Sequence, residues 1–501
     1  MRIAWFSPFP PVNTGIAAVS AEVVASLGAR GHAVDAYPET AAHDFPWRHR
    51  RRPYDLIVYQ FGNSSHHDYT WPYALRYPGM TVLHDTRLHH ARAALLLRER
   101  RRDDYRRELA WSEPGVNPDA AELAIAGLDS ALYYDWPMVR SLVATSRLVA
   151  VHGEATRREL IEALSTPNSS TPNSSTPNSS TPNSHIVSIR LGHGELVTPA
   201  REATAREGIR SIYGIPEDAI VFGVFGGLTP EKRIRQILAA FRETLPYAPS
   251  AHLLLGGAVA AHADVTPADV ADLGTRVTMC GYIHDEHLTD HIAAVDVSLN
   301  LRWPTARETS GPWLRALAAG RPTVITDLLH LAGVVSLDPR TWTVRRAVGP
   351  GTDDAGHGTW DTGPGTPIAI AIDILDEDHS LRLAMRRLAT DADLRATLGR
   401  AAQAYWQREH SIAAMADDYE SIVARCASGE IAAVGGHGEE VPHHLRPVGD
   451  ETLRALLVPF GADTTSRASV ASEPRERSAP AERRARGRAG ESEGRRPSDQ
   501  K

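Results

Sequence analysis

The stretch from Asp296 to Asp327 limits what this chain can fold into more than any other. Asp296 to Leu301 reads as a strand buried in a parallel sheet. Gly311-Pro312 opens a helix, because proline fits the first helical turn, where its missing N–H is no loss. Trp313, Leu314, Leu317 and Ala318 fall on one face of that helix, Gly320 caps its end, and Thr323 to Thr326 is the next strand. The unit is strand, loop, helix, turn and strand, with Glu308, Thr309 and Ser310 in the loop. In open α/β sheets ligands bind at this edge, beyond the strand C-termini. Free N–H groups at a helix start favour a phosphate, and a carboxylate beside them would accept hydrogen bonds from sugar hydroxyls. That combination fits a sugar nucleotide. On geometry alone Glu308 also fits a solvated loop residue.

The chain begins with a similar unit. Arg2 to Ser7 reads as a strand, Gly15 opens a helix with Ile16, Val19, Val23 and Leu27 on one face, and Ala33 to Tyr37 is a second strand. A glycine at such a turn permits close approach by a ligand, although many serve the turn alone. Two further strands, Asp55 to Gln60 and Met80 to Leu83, each end in polar residues. Gly62, Asn63 and Ser64 follow the first; His84, Asp85, His89 and His90 follow the second. The histidines invite a metal, but no second ligand group of suitable spacing follows. The reading is that strand ends place polar groups in a crevice. Trp47 to Pro53 reads as a solvated basic loop, and Ala91 to Arg107 as one Arg-rich surface helix. Ser-Thr-Pro-Asn-Ser recurs four times from Ser165 to Ser184. Its regular prolines forbid a helix and it offers nothing to bury, so a flexible loop-tip insertion is expected.

In the second half, the apolar strand Ile220 to Phe225 leads into Gly226-Gly227-Leu228-Thr229-Pro230-Glu231-Lys232-Arg233 and then a helix from Ile234 to Thr244. The paired glycines let a diphosphate approach the backbone, and Lys232 and Arg233 offer positive charge. A plain surface turn is the alternative. Strands at His252 to Gly257 and Val277 to Cys280 follow, the latter running into Gly281-Tyr282-Ile283. Gly349 to Pro367 reads as a surface loop, Ile368 to Ile374 and Leu381 to Gly399 as strand-poor helical sequence, and Ala401 to Ala424 as one long amphipathic helix. Thr464 to Lys501 is rich in Arg, Glu, Ser and Pro and should be disordered.

The stretch from Glu308 resembles the nucleotide-sugar signature of retaining GT-B glycosyltransferases, glycosyltransferase family 4, group 1. Glu308, Gly311, Ala316, Ala318, Gly320 and Pro322 match it. A second glutamate, which in the family usually holds the ribose, is replaced. Its place is Arg315 counted back from the Gly-x-Pro turn, or Ala316 counted forward from Glu308. The turn before Ile234 is similar to the family's Pro-Glu-Lys-Gly: Lys232 matches, Gly227 stands where the family has arginine, and Arg233 where it has glycine. The resemblance implies an α/β GT-B fold, two Rossmann-like doubly wound domains facing a cleft. It implies an acceptor-side domain over 1–195, a nucleotide-sugar domain over 196–400, a crossover helix over 401–426 and a largely disordered tail over 427–501.

It further implies metal-independent transfer, with retention, of a hexose-type sugar from a nucleoside-diphosphate sugar to a glycan, lipid or small-molecule acceptor. His84 corresponds to the family's histidine near the donor sugar, and with Glu308 is read as catalytic. Gly15, Gly227, Lys232, Arg233, Ile283, Thr309, Ser310 and Gly311 are read as donor-binding, and Asn63 and Asp85 as acceptor-side. No cofactor beyond the donor is expected. The two departures leave a second reading, a non-catalytic GT-B module that binds a nucleotide or glycan.

A length of 501 residues suggests two or three domains, and a hydrophobic content of 42% supplies substantial cores. A formal net charge of −7 argues against a nucleic-acid partner. Cys280 and Cys426 give no disulfide framework, which fits a reducing cytosol. The N-terminal apolar run is too short for a signal peptide, and no stretch approaches a membrane span. A cytoplasmic protein is expected, with peripheral contact at the inner face of the membrane left open.

Overall fold

Short apolar runs alternating with helices build two sheets. A computed structural model describes residues 1–128, 132–165, 185–260, 265–331, 333–345, 366–431 and 441–446. The pentapeptide repeat, most of the Gly349 to Pro367 loop and the tail beyond 446 lie outside the described residues.

The first sheet contains β1 (Arg2–Phe6), β2 (Ala33–Tyr37), β3 (Leu56–Phe61), β4 (Met80–Leu83), β5 (Leu148–His152) and β6 (Ile186–Ile189). Its order is β2-β1-β3-β4-β5-β6, with every pair parallel. The second contains β7 (Val221–Phe225), β8 (His252–Gly256), β9 (Val277–Gly281), β10 (Val297–Asn300), β11 (Thr323–Thr326), β12 (Ser336–Leu337), β13 (Val344–Arg345) and β14 (Ala369–Ile372). Its order is β13-β12-β14-β11-β10-β7-β8-β9, parallel except where β13 runs against β12. Both are doubly wound. Strand order reverses between β1 and β3 in the first sheet and between β7 and β10 in the second. This is the GT-B architecture.

The helix Gly311–Ala318 holds its register through its ends and one face. The Ser310 side chain caps the N-terminus, accepting from the Trp313 N–H at 3.4 Å. Gly320 takes φ +65° just past the C-terminus, where the N–H of Arg321 returns to the Ala316 carbonyl at 2.9 Å. Trp313, Leu314 and Leu317 are buried, each contributing about 2 kcal/mol. At the far end of the fold the helix Ile412–Ala427 crosses back to the first sheet. Met415, Tyr419, Ile422 and Val423 share one buried cluster with Ile3, Trp5, Val23 and Leu27.

Four local expectations change. Ala91 to Arg107 forms parts of two helices, His89–Arg98 and Arg102–Ser112, because Arg100 turns the chain at φ +58°. The basic stretch from Trp47 lies largely on a short helix, Phe45–Arg51, with Pro46 in its first turn. The segment at Ile368 to Ile374 contains β14, a buried four-residue strand between β11 and β12, too short to show a period. Ala401 to Ala424 is broken into Ala392–Glu409 and Ile412–Ala427, because Ser411 caps the second helix by accepting from the Ala414 N–H at 3.2 Å.

Candidate active site between the lobes

The loops leaving the two switch points enclose a common cavity of about 410 Å3. Ile16, Gly62, Asn63, Ser64, Asp85, His90 and Tyr134 line it from the first lobe. Thr229, Glu231, Arg302, Pro304, Ala306 and Glu308 line it from the second. Small-molecule sites are commonly ~300–1,000 Å3, so there is room for a sugar.

On the second lobe, Glu308 is held at both oxygens. Arg302 Nε donates to one at 2.8 Å and Thr305 Oγ1 to the other at 2.9 Å. Arg302 is itself fixed through its backbone N–H, which donates to Thr326 Oγ1 at 3.0 Å. Lys232 reaches back to the end of β7, where its ammonium donates to the Phe225 carbonyl. A Cβ on Gly226 would stand 3.1 Å from Lys232 Nζ and 3.4 Å from Pro312 Cγ, so the lysine and the first turn of the Gly311 helix meet at one point. Burial, then the charge of Arg302, hold the Lys232 ammonium down to about 7, against the pull of Glu308. A cation in that state gains from an incoming anion.

The remaining donor-side residues divide. Thr309 and Ser310 sit partly buried between Glu308 and the helix, and Gly311 packs with its open side against His193, 3.2 Å from where a Cβ would be. Ile283 lies over Gly256, its Cδ1 2.6 Å from where a Cβ would stand. Gly227 has open space at its α-carbon. Gly257 explains why glycines recur here: a Cβ on it would lie 2.1 Å from the Gly226 carbonyl oxygen. Arg233 is placed elsewhere. At φ +59° it turns its guanidinium onto the buried carboxylate of Glu377, with Nε to Oε1 at 2.9 Å, and so joins the helices Ile234–Thr244 and Glu377–Thr390. Arg315, at the place of the family's second carboxylate, is buried. It donates to His193 Nε2 at 3.1 Å and to Asp285 Oδ1 at 2.7 Å. Ala316 is fully buried.

On the first lobe, Asp85 Oδ2 accepts from the Asn63 N–H at 2.7 Å, and Asn63 Oδ1 accepts from the Ala91 N–H at 2.9 Å. Burial and the charge of Glu308 push the Asp85 carboxyl up to about 7. His84 turns the other way. Its Nε2 meets Gln60 Oε1 at 2.7 Å and its Nδ1 meets His152 Nε2 at 3.1 Å, and it does not line the cavity. Burial and then His152 hold its imidazole neutral, well below the usual range. Gly15 starts its helix beside Ile16, which does line the cavity. The neighbouring His89 bonds Tyr105 at 2.8 Å, and among the described residues no three His, Cys, Asp or Glu side chains converge as a metal site.

Two contacts join the lobes. Glu159 Oε1 accepts from Arg87 of its own lobe and from Arg307 Nε of the other, both at 2.8 Å. The Tyr134 hydroxyl donates to Glu231 Oε1 at 3.0 Å. Arg302, Glu231 and Tyr134 were not singled out from sequence. Arg302 carries the same signal as Glu308, a position just past a switch-point strand. Tyr134 has none, because it comes from a helical excursion between β4 and β5.

Residues 219–345 match the model of the family "Glycosyl transferases group 1". That span takes in both charged loops of the second lobe. No curated protein matches the chain in sequence. Among solved structures, sucrose-phosphate synthase from Thermosynechococcus elongatus is similar at 15% identity and a TM-score of 0.55, covering 86% of this chain and 100% of that one. The catalytic domain of starch synthase IV from Arabidopsis thaliana, bound to ADP and acarbose, is similar at 12% identity and a TM-score of 0.54, over 85% and 99% of the two chains. Anabaena HepE in complex with UDP and glucose gives 13% identity and a TM-score of 0.51, over 85% and 99%. At these identities the likeness is one of fold.

Proposed function

We propose that this protein is a glycosyltransferase that moves a sugar from a nucleoside-diphosphate donor to a hydroxyl-bearing acceptor, with retention and without a metal ion. The observation that carries the reading is the approach of Lys232 to the first turn of the Gly311 helix at Gly226, within the electrostatic reach of the Arg302–Glu308 pair that lines the cavity between the lobes. The donor diphosphate takes the Gly311 N–H at the helix start and the Lys232 ammonium. Glu308 accepts from sugar hydroxyls once the donor competes with Thr305. Ile283 borders the base. Arg302 supplies the second cation that Gly227 lacks and that Arg233, committed to Glu377, does not offer. As the glycosidic bond breaks, charge grows on the leaving phosphate, and fixed cations there favour that state over the ground state. The acceptor enters beside Asn63 and Asp85 and attacks from the face the phosphate leaves. Similar structures solved with UDP and glucose and with ADP and acarbose support the same donor chemistry.

The test is release of nucleoside diphosphate from a panel of UDP-, ADP- and GDP-hexoses by the full chain, with the anomeric configuration of the product read by NMR. Turnover of one donor, lost in Glu308→Gln, is expected. Binding of a donor with no turnover of any would replace this reading with a nucleotide-binding module.

A further inference from the structure

One side of the cavity is acidic. Three carboxyl groups reach it: Asp85 from the first lobe, Glu231 and Glu308 from the second. The guanidinium there, Arg302, is already paired with Glu308 at 2.8 Å. The two nearby arginines that bridge the lobes, Arg87 and Arg307, are paired with Glu159 and do not line the cavity. The rest of the acceptor-side wall offers hydrogen-bonding groups: Asn63, Ser64, Tyr134 and His90. Asp85 is rigid, because its Oδ2 is held by the Asn63 N–H, and no described group donates to its other oxygen.

We infer that the acceptor is an uncharged or amine-bearing polyol, such as an amino sugar, and that Asp85 and Glu231 read its hydroxyl or ammonium groups while repelling phosphorylated or carboxylated sugars. The inference rests on the cavity being the acceptor site of the proposed transferase, but it concerns recognition and not turnover. A second phosphate, brought against Asp85 and Glu231, meets two carboxylates, while the Arg302 guanidinium is bound to Glu308 and, on the proposed reading, taken by the donor phosphate. A hydroxyl or ammonium meets acceptors already held in place, so little ordering is needed. An ammonium also relieves the repulsion between Asp85 and Glu308, which face the same space.

The test is saturation-transfer NMR on the full chain with a matched set: glucose, glucosamine and glucose 6-phosphate. Glucosamine and glucose should bind, with the phosphate ester weaker by about tenfold or more. Asp85→Asn should cut the preference for glucosamine over glucose 6-phosphate by about tenfold, since a neutral amide keeps the shape and loses the charge. Glu231→Gln gives the same readout should Asp85→Asn fail to fold. Glucose 6-phosphate binding as well as glucosamine, or a preference unchanged in both variants, overturns the inference. Selective binding of the amino sugar without turnover of any donor would sink the transferase reading and leave this one standing.

Discussion

At the switch point of the second sheet, Arg302 and Glu308 line the cavity, and Lys232, from the adjacent loop, lies within their electrostatic reach and approaches the Gly311 helix start at Gly226. At the first sheet, the strand-end histidine turns inward to Gln60 and His152, and only Asn63, Asp85 and their neighbours face the cavity. The difference is one of partners. Past β10, Arg302 and Glu308 pair with each other and stay partly exposed at the cavity wall. Past β4 the chain is covered by β3, β5 and the crossover helix, whose polar groups capture His84: Tyr419 of that helix accepts from Gln60 Nε2 at 3.2 Å. A residue type at a strand end therefore signals a crevice only where nothing nearby satisfies it first.

The largest effect should separate the two walls. Glu308→Gln or Lys232→Met is expected to lower donor turnover by ~10²–10³-fold with the fold intact by circular dichroism. His84→Gln, which keeps a hydrogen-bonding group in the interior, should lower it by less than about tenfold. If His84→Gln matches Glu308→Gln, the distinction drawn between the walls is wrong. Next comes the joint between them. Glu159→Gln strands the guanidinium groups of Arg87 and Arg307, and urea unfolding should show a loss of about 3 kcal/mol. Arg233→Met should cost a similar ~3 kcal/mol by exposing the Glu377 carboxylate to an apolar partner, while the donor KM of the folded variant changes by less than about threefold. A large rise in KM would return Arg233 to the donor site.

A pH effect sharpens the same contrast. Lys232, held down to about 7, is a cation below that value and neutral above it. Donor binding should therefore weaken as pH rises through about 7, by about tenfold per unit at most, and Lys232→Arg should remove the dependence. Asp85 titrates in the same range, so the profile is to be repeated in Asp85→Asn, where the lysine alone remains. The smallest effect belongs to the turn that ends the Gly311 helix. Gly320→Ala, at φ +65°, should cost about 1 kcal/mol in thermal unfolding and leave kinetics unchanged.

Much of the second lobe was legible because its information is local. Gly311-Pro312, the apolar face from Trp313 and Gly320 fix a helix within ten residues of Glu308, and β11 runs over Thr323–Thr326 as its sequence suggests. The direction of His84 was not legible, because it depends on Gln60, His152 and Tyr419, far apart in sequence. Arg233 misled for a like reason: Glu377 lies 144 positions away. β14 was not legible because four buried residues carry no period, and Arg302 because its place is set by Thr326, on the next strand.

The return of the helix Ile412–Ala427 to the first sheet has a consequence for synthesis. Trp5 packs against Tyr419 with ring centroids 5.1 Å apart, so one face of β1 is finished by a helix made long after it. Without that helix, the cluster that holds Ile3, Trp5 and Leu27 lacks Met415, Tyr419, Ile422 and Val423. A chain stopped before residue 412 is therefore expected to bare part of that apolar surface, read as increased binding of a hydrophobic dye by the truncated chain.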